Sequence, residues 1–417
     1  MPTPAQPRRY LWTFLGLTGG VLLAMVALNV MADPFRVFGT PRRAGLNDRV
    51  ADASGFDRMT QPYELLRVMP RTVFFGSSTT LFGFRGVDQW EAALPRPIYN
   101  YGLRFADAHE VHLSLDHALR ECPVEVVVMT ADFYGFNIHF PGNAQFTPAR
   151  LTSATRSAWP GVLGSDLAAF TLGSDALALS WKTLSSSWRP APPAATDPVQ
   201  QSHSLHEAFR QCERFYLSHW LPAPACRYEF ASATTGQDRL ADFEASLRLC
   251  SQRNLRLIVI CPPIHARFQE ALDAAGVWPQ YEAWKRELAT RTRAHQARLA
   301  GSGTVELWDF SFFNDLTCEP LPGEELGPMR YFTDSAHFTP ELGRLILSEV
   351  LGIESSGVQR LGVRLDETDM ESHLAGLRAD FKAWRDVNPA VVSDVRAGLG
   401  LEKETATPSF ADTKFRR

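Results

Sequence analysis

The sequence predicts an α/β protein, a parallel sheet of about five strands with helices on both faces, preceded by one transmembrane helix. Three observations carry this. A stretch of 23 uncharged residues, Tyr10 to Ala32, stands near the N-terminus. Beyond it, short runs rich in Val, Ile, Leu and Phe alternate with segments whose apolar residues fall three and four apart. The composition, 45% hydrophobic and 21% charged over 417 residues, is that of a folded globular chain rather than a disordered, collagen-like or multi-spanning one.

At a rise of about 1.5 Å per residue, the N-terminal stretch crosses a hydrocarbon layer of about 30 Å with a little tilt. Arg8 and Arg9 precede it, so residues 1–9 are expected to stay in the cytoplasm, residues 10–32 to span, and the rest to lie on the far side. Arg36, Arg42 and Arg43 follow the span and weaken the charge asymmetry. Val30-Met31-Ala32 resembles a signal-peptide cleavage site, but the apolar stretch exceeds the usual core of about 7 to 15 residues. A buried soluble helix would show polar positions on one face. An uncleaved anchor fits best, and residues 33–69 then form a juxtamembrane segment.

Five runs read as strands: residues 73–75, 97–99, 124–130, 255–260 and 305–310. Val111, Leu115 and Leu119 precede the third at helical spacing, and Tyr281, Trp284 and Leu288 precede the fifth. Near-continuous apolar strands separated by helices imply a parallel sheet covered on both faces. The resulting α/β domain spans residues 70–353. The pattern breaks at about residues 135–235, where Ser185 to Ser187 and Pro190, Pro192, Pro193 and Pro198 indicate an insertion containing a linker. Such an insertion overhangs the carboxyl ends of the strands, where it can shape a ligand site. After Ile353 the sheet pattern stops. In the C-terminal extension, residues 354–417, Leu374, Leu377, Phe381 and Trp384 mark an amphipathic helix ending near Asn388-Pro389, with a frayed tail beyond.

Lys and Arg number 42 against 46 Asp and Glu, and the net charge of -4 gives no pull toward polyanions, so no nucleic acid partner is expected. No GxxxxGK[ST] occurs, which removes P-loop chemistry. Six cysteines without a CxxC disfavour a zinc ribbon or thioredoxin-type site. Cys212 and Cys226 are the first pair to test for a disulfide, and Cys261 reads as a small buried hydrophobe. His109 and His112 stand three apart, not the four of HExxH, and read as a solvated helix face; no metal and no cofactor are expected.

The residues that can do chemistry lie at two distant places. The first strand runs into Gly76-Ser77-Ser78-Thr79-Thr80, a turn able to lift a serine hydroxyl clear of the sheet and aim N–H groups at an oxyanion; it also reads as ordinary turn chemistry with a helix N-cap. Far downstream, Asp334-Ser335-Ala336-His337 precedes a helix from about Glu341. A serine hydroxyl is a poor nucleophile until an imidazole takes its proton, and that imidazole needs a carboxylate to fix its tautomer. His265, at the end of the fourth strand, is placed to touch substrate, and Asp309, ending the fifth, reads as a supporting acid or a helix N-cap.

Gly76-Ser77-Ser78, Asn100-Tyr101-Gly102 and Asp334-Ser335-Ala336-His337 resemble blocks one, two and five of the SGNH (GDSL-type) hydrolase superfamily, over residues 70–135 and 250–352. The resemblance implies a flavodoxin-like sheet, Ser78 as nucleophile with Ser77 as the other candidate, His337 as base and Asp334 as acid. The third block, G-x-N-D, is missing: the chain reads Thr130-Ala131-Asp132-Phe133-Tyr134-Gly135-Phe136-Asn137. The oxyanion is then left to the N–H groups of Ser78 and Gly102, unless Asn137 reaches in. Ser77 and His265 are the substrate-binding candidates.

The single span followed by a late DxxH is similar to membrane-anchored SGNH-like proteins that assist acyl transfer onto cell-envelope polymers. What this implies is an esterase or O-acyltransferase at a bacterial inner membrane, facing the periplasm or extracytoplasmic side and acting on acyl esters of envelope polysaccharide. The alternative is an inactive SGNH-like scaffold. Expected partners are an acylated glycan or other envelope polymer, a multi-spanning membrane acyltransferase, and the membrane itself.

Overall fold

The computed structural model describes residues 5–140, 142–155, 164–189, 205–219, 227–298, 304–321, 329–353 and 361–399. Along the chain the elements are helices α1 (Ala5–Ala32) and α2 (Asp57–Val68), strand β1 (Thr72–Gly76), α3 (Ser78–Gly83), α4 (Val87–Trp90), β2 (Ile98–Gly102), α5 (Ala108–Glu121) and β3 (Val126–Thr130). Five helices follow, α6 (Pro148–Ser153), α7 (Gly164–Leu172), α8 (Ser174–Trp188), α9 (Leu205–His219) and α10 (Arg239–Gln252). The remainder comprises β4 (Arg256–Cys261), α11 (Ala266–Ala274), α12 (Trp278–Gln296), β5 (Thr304–Asp309), α13 (Pro340–Val350), β6 (Val363–Arg364), α14 (Met370–Val387) and α15 (Pro389–Gly398). Two compact units result: Met1–Met69 with Gln145–Ala195, and Pro70–Ala144 with Thr196–Arg417. The sequence segment read as one insertion is thus divided between them.

The first unit gathers α1, α2 and α6 to α8. One helix, Arg8–Ala32, is long and apolar enough to cross a membrane. Beyond it, Phe35, Val37, Tyr63, Leu66, Phe170 and Leu179 form a small core. A buried Asp166 ties it together, accepting from the Tyr63 hydroxyl at 2.8 Å and from Arg150 at 2.5 and 3.1 Å. The carboxylate is tolerated there because both of its oxygens are paired.

In the second unit the strand order is β2-β1-β3-β4-β5-β6, with β1 to β5 parallel and β6 antiparallel to β5. β1 and β3 are buried along their whole length, as expected of strands covered on both faces. Phe74, Val128, Ile258 and Phe338 belong to one continuous core beneath α13. The chain leaves β1 toward β2 and returns across β1 to β3, and at such a reversal the carboxyl ends of the strands open a crevice. The Ser78 turn and the segment after β3 both emerge there.

The five expected runs correspond to β1 to β5. The sixth strand corrects the reading that the sheet pattern stops after Ile353: Val363–Arg364 pairs with Asp309 and Trp308. Two residues without an apolar run leave no periodicity to detect. Pairing is secured by Leu365 N–H on the Leu307 carbonyl at 2.8 Å and by Arg364 on Asp366. The expected C-terminal helix is α14, and Pro389 opens α15 directly after it. His109 and His112 are only partly solvated: they meet Asp242 at 2.9 Å and Ser246 at 3.2 Å, docking α5 on α10.

Candidate active site

The turn after β1 is built on Gly76, whose φ of 148° lies outside the range of ordinary L-residues. A Cβ there would collide with the Thr130 and Thr80 hydroxyls. Released from the strand in this conformation, the chain turns at Ser77, which caps α3 by accepting from Thr79 N–H at 3.2 Å. Ser78 becomes the first residue of α3. Ser77, a substrate-binding candidate, is 1% exposed and structural: its N–H donates to Asp132 and its hydroxyl accepts from Tyr134.

The Asp334-to-His337 loop is equally local in origin. Asp334 Oδ1 accepts from the N–H groups of Ala336 and His337, both at 2.9 Å, and Thr333 N–H closes the loop onto the His337 carbonyl at 3.0 Å. Helix packing then delivers it to α3. Gly83 leaves no room for a Cβ beneath the Phe338 ring, and Gly343 of α13 approaches the Gly83 carbonyl with equal closeness. The Phe338 ring also meets Phe84 edge-on at 5.5 Å.

This contact brings together residues 259 positions apart. His337 Nε2 lies 2.8 Å from Ser78 Oγ, and His337 Nδ1 lies 2.8 and 2.9 Å from the two Asp334 oxygens. An ionised carboxylate only accepts, so Nδ1 carries the hydrogen and Nε2 is the acceptor facing the serine O–H. Burial pushes the Asp334 carboxyl up, but the His337 charge and hydrogen bonds from His337, Ala336 N–H and the Cys212 thiol outweigh it and hold it below its ordinary value. Burial likewise works against a charged His337, yet Asp334 prevails and raises the imidazole above its ordinary 6.5. Phe82 packs edge-on against the imidazole at 5.3 Å and fixes its plane.

Several participants carry no signal that the sequence reading used. Asp132, at the end of β3, accepts from Thr79 at 2.6 Å, Thr130 at 3.1 Å and Ser77 N–H at 3.3 Å, clamping the serine turn. Burial raises its carboxyl above the ordinary value against those three donors. Its place after the strand beside β1 was the available clue. Cys212 of α9 donates its thiol to Asp334 Oδ1 at 3.3 Å, and Tyr216, one turn on, packs 6.3 Å from the His337 ring. Burial first, then the Asp334 charge, pushes the Cys212 thiol well up, so it stays a donor. Cys212 is a free thiol, and its expected partner Cys226 lies outside the described residues. Among the described residues, Cys212, Asp334 and His337 also form the one group with metal-ligand spacing, their donor atoms within 4.8 Å of one another.

Two expectations are corrected. Gly102 N–H does not face the hydroxyl unengaged: it donates to the Asn100 side-chain oxygen at 2.9 Å, because Asn100 folds back over its own strand end. Asn137 sits buried in a loop clamp, its side-chain oxygen accepting from His139 and Glu229 N–H, both at 3.2 Å. His265 does not present a side chain to substrate. It is 4% exposed, caps α11 through Nδ1 and donates from Nε2 to the Glu319 carbonyl at 2.8 Å, with burial pushing it down to about 4. Asp309 is a supporting acid in another sense. It sits with Lys285 at 2.7 Å and His373 at 2.9 Å in a fully buried cluster of the sheet. Comparison with protein-family models and with curated proteins returns no match.

Proposed function

We propose that the protein is a membrane-anchored, SGNH-like serine esterase or O-acyltransferase acting on acyl esters of a cell-envelope polysaccharide. One observation carries the reading: Ser78, His337 and Asp334 form an unbroken hydrogen-bonded relay with both links at 2.8 Å. The strand order β2-β1-β3-β4-β5, which is the flavodoxin-like order, supports it. The substrate class and the sidedness rest on the resemblance of the three sequence blocks.

In this mechanism Ser78 Oγ attacks the acyl carbonyl carbon while its proton passes to His337 Nε2. Asp334 stays ionised and stabilises the imidazolium through Nδ1–H. The tetrahedral oxyanion is met by Ser78 N–H. When it collapses, the C–O bond to the sugar breaks and the leaving alkoxide takes the proton from Nε2, so that an ester of Ser78 remains. Water or a second sugar hydroxyl then gives up its proton to His337 Nε2 and attacks that ester; the acyl bond to Ser78 Oγ breaks as Nε2 returns the proton to Oγ, releasing the free acid or the new sugar ester.

A second reading, an inactive scaffold partnering a multi-spanning acyltransferase, is favoured by the engagement of the Gly102 N–H elsewhere. Loss of one oxyanion donor costs about 2.7 to 4 kcal/mol of transition-state stabilisation. A serine-directed fluorophosphonate separates the two. Labelling that persists in Ser77→Ala and disappears in Ser78→Ala is expected of the enzyme; no labelling in wild type supports the scaffold.

A further inference from the structure

The helical hairpin of α7 and α8 packs on the C-terminal end of α1, where Asn29 Nδ2 donates to the Thr171 carbonyl at 2.8 Å. Along α1, Arg8 to Ala24 are exposed apart from a half-covered Gly19, and sustained cover by protein begins at about Met25. A hydrocarbon layer consumes about 20 helical residues. Counted from Tyr10, it ends near Asn29, so the hairpin meets α1 at the depth of the membrane surface.

The outward side of the hairpin is unlike that of a solvated one. Leu167, Leu172, Leu177, Trp181 and Trp188 are exposed, the two tryptophans at 60%. At about 100° per residue, Leu177, Trp181 and Trp188 fall within about 40° of one another on α8, whereas Asp175 and Lys182 fall together on the opposite flank of the exposed arc. Trp181 and Trp188 pair edge-on at 5.9 Å, making one continuous aromatic ledge. The one acidic side chain of α7, Asp166, is turned inward to Arg150 and Tyr63. Exposed leucines with tryptophans on one flank and charges on the other are the pattern of a helix lying in a lipid interface.

We infer that the α7–α8 hairpin is a second membrane contact, laying the Leu177, Trp181 and Trp188 flank into the headgroup–acyl boundary beside the point where α1 emerges. The occupant is a phospholipid surface, because the face is continuous with a helix that is itself suited to lipid. This rests on the reading of α1 as an anchor, and the test treats the two separately. The full chain is reconstituted in vesicles of palmitoyl-oleoyl phosphatidylcholine, and tryptophan emission is compared with that in vesicles of the lipid brominated at carbons 6 and 7. A Trp12→Phe background removes the anchor's own tryptophan.

In that background the emission should still drop in brominated vesicles. Adding Trp181→Phe and Trp188→Phe should remove most of the drop, while circular dichroism stays unchanged. If the wild type is quenched but the Trp12→Phe protein is not, the anchor stands and the hairpin proposal is overturned. The same holds if Trp181→Cys cross-links two copies in an unquenched protein, which would make this face a self-association surface. If the wild type itself escapes quenching, the anchor reading fails and the hairpin proposal falls with it.

Discussion

Replacing Asp334 by Asn removes a charge with almost no change in volume, which makes it the most informative single substitution. Asp334→Asn should lower kcat by about 10⁴-fold, because the imidazole loses both its tautomer and the partner of its charge. The pH dependence follows from the same contact. His337 must be neutral to act as base, and Asp334 raises it above 6.5, so kcat/KM of the wild type should fall as the pH drops through a midpoint above 6.5. Without the carboxylate, burial is the larger influence and the midpoint of the residual activity should move lower. A profile of p-nitrophenyl acetate hydrolysis checks the sign; an unmoved midpoint would show that another group titrates. The relay residues were legible because Gly-Ser-Ser and DxxH are compact motifs. Asp132, Cys212 and Asn137 were hidden or misassigned, since a side chain's hydrogen-bond partner depends on which strand or helix lies alongside.

Helix α3 is only six residues long, and its usefulness depends on the surface beneath it. Gly83→Val would drive a side chain into the Phe338 ring, which already lies 2.0 Å from where its Cβ would stand. The DxxH loop should lift from α3, giving a loss of hydrolysis of at least about 100-fold from the roughly 1 Å displacement of a reacting group, with the far-ultraviolet spectrum preserved. Retained activity would mean that His337 is held by something other than this contact. The strands were readable as apolar runs, α5, α12 and α14 from their spacing, and α13 as a helix expected from about Glu341. β6 and the pairing of α3 with α13 were not, because a two-residue edge strand and a glycine-to-glycine approach leave no period in the chain.

The sheet carries a second polar centre with a different task. Lys285 of α12 and His373 of α14 both bond Asp309 of β5 out of contact with solvent, which fastens α14 to the α/β framework. Burial alone would raise Asp309, but Lys285 and His373 hold it below the usual carboxylate range. Its contribution is therefore full above the unfolded value of about 3.9 and is lost as the pH falls through the folded value. Lys285→Met strands a carboxylate in the interior and should destabilise the fold by about 3 to 5 kcal/mol, read as a lower denaturant midpoint. A neutral result would show that His373 alone suffices.

The relay bridges positions near the beginning and the end of the sheet-forming chain, so neither fragment of a protein severed between them owns a reactive hydroxyl. On that reading, a nascent polypeptide halted before Asp334 would hold at Ser78 only an ordinary alcohol, without the imidazole that would activate it. If the proposed esterase reading holds, competence would arrive only once both segments are present and folded together, so a chain lacking either should show no hydrolysis.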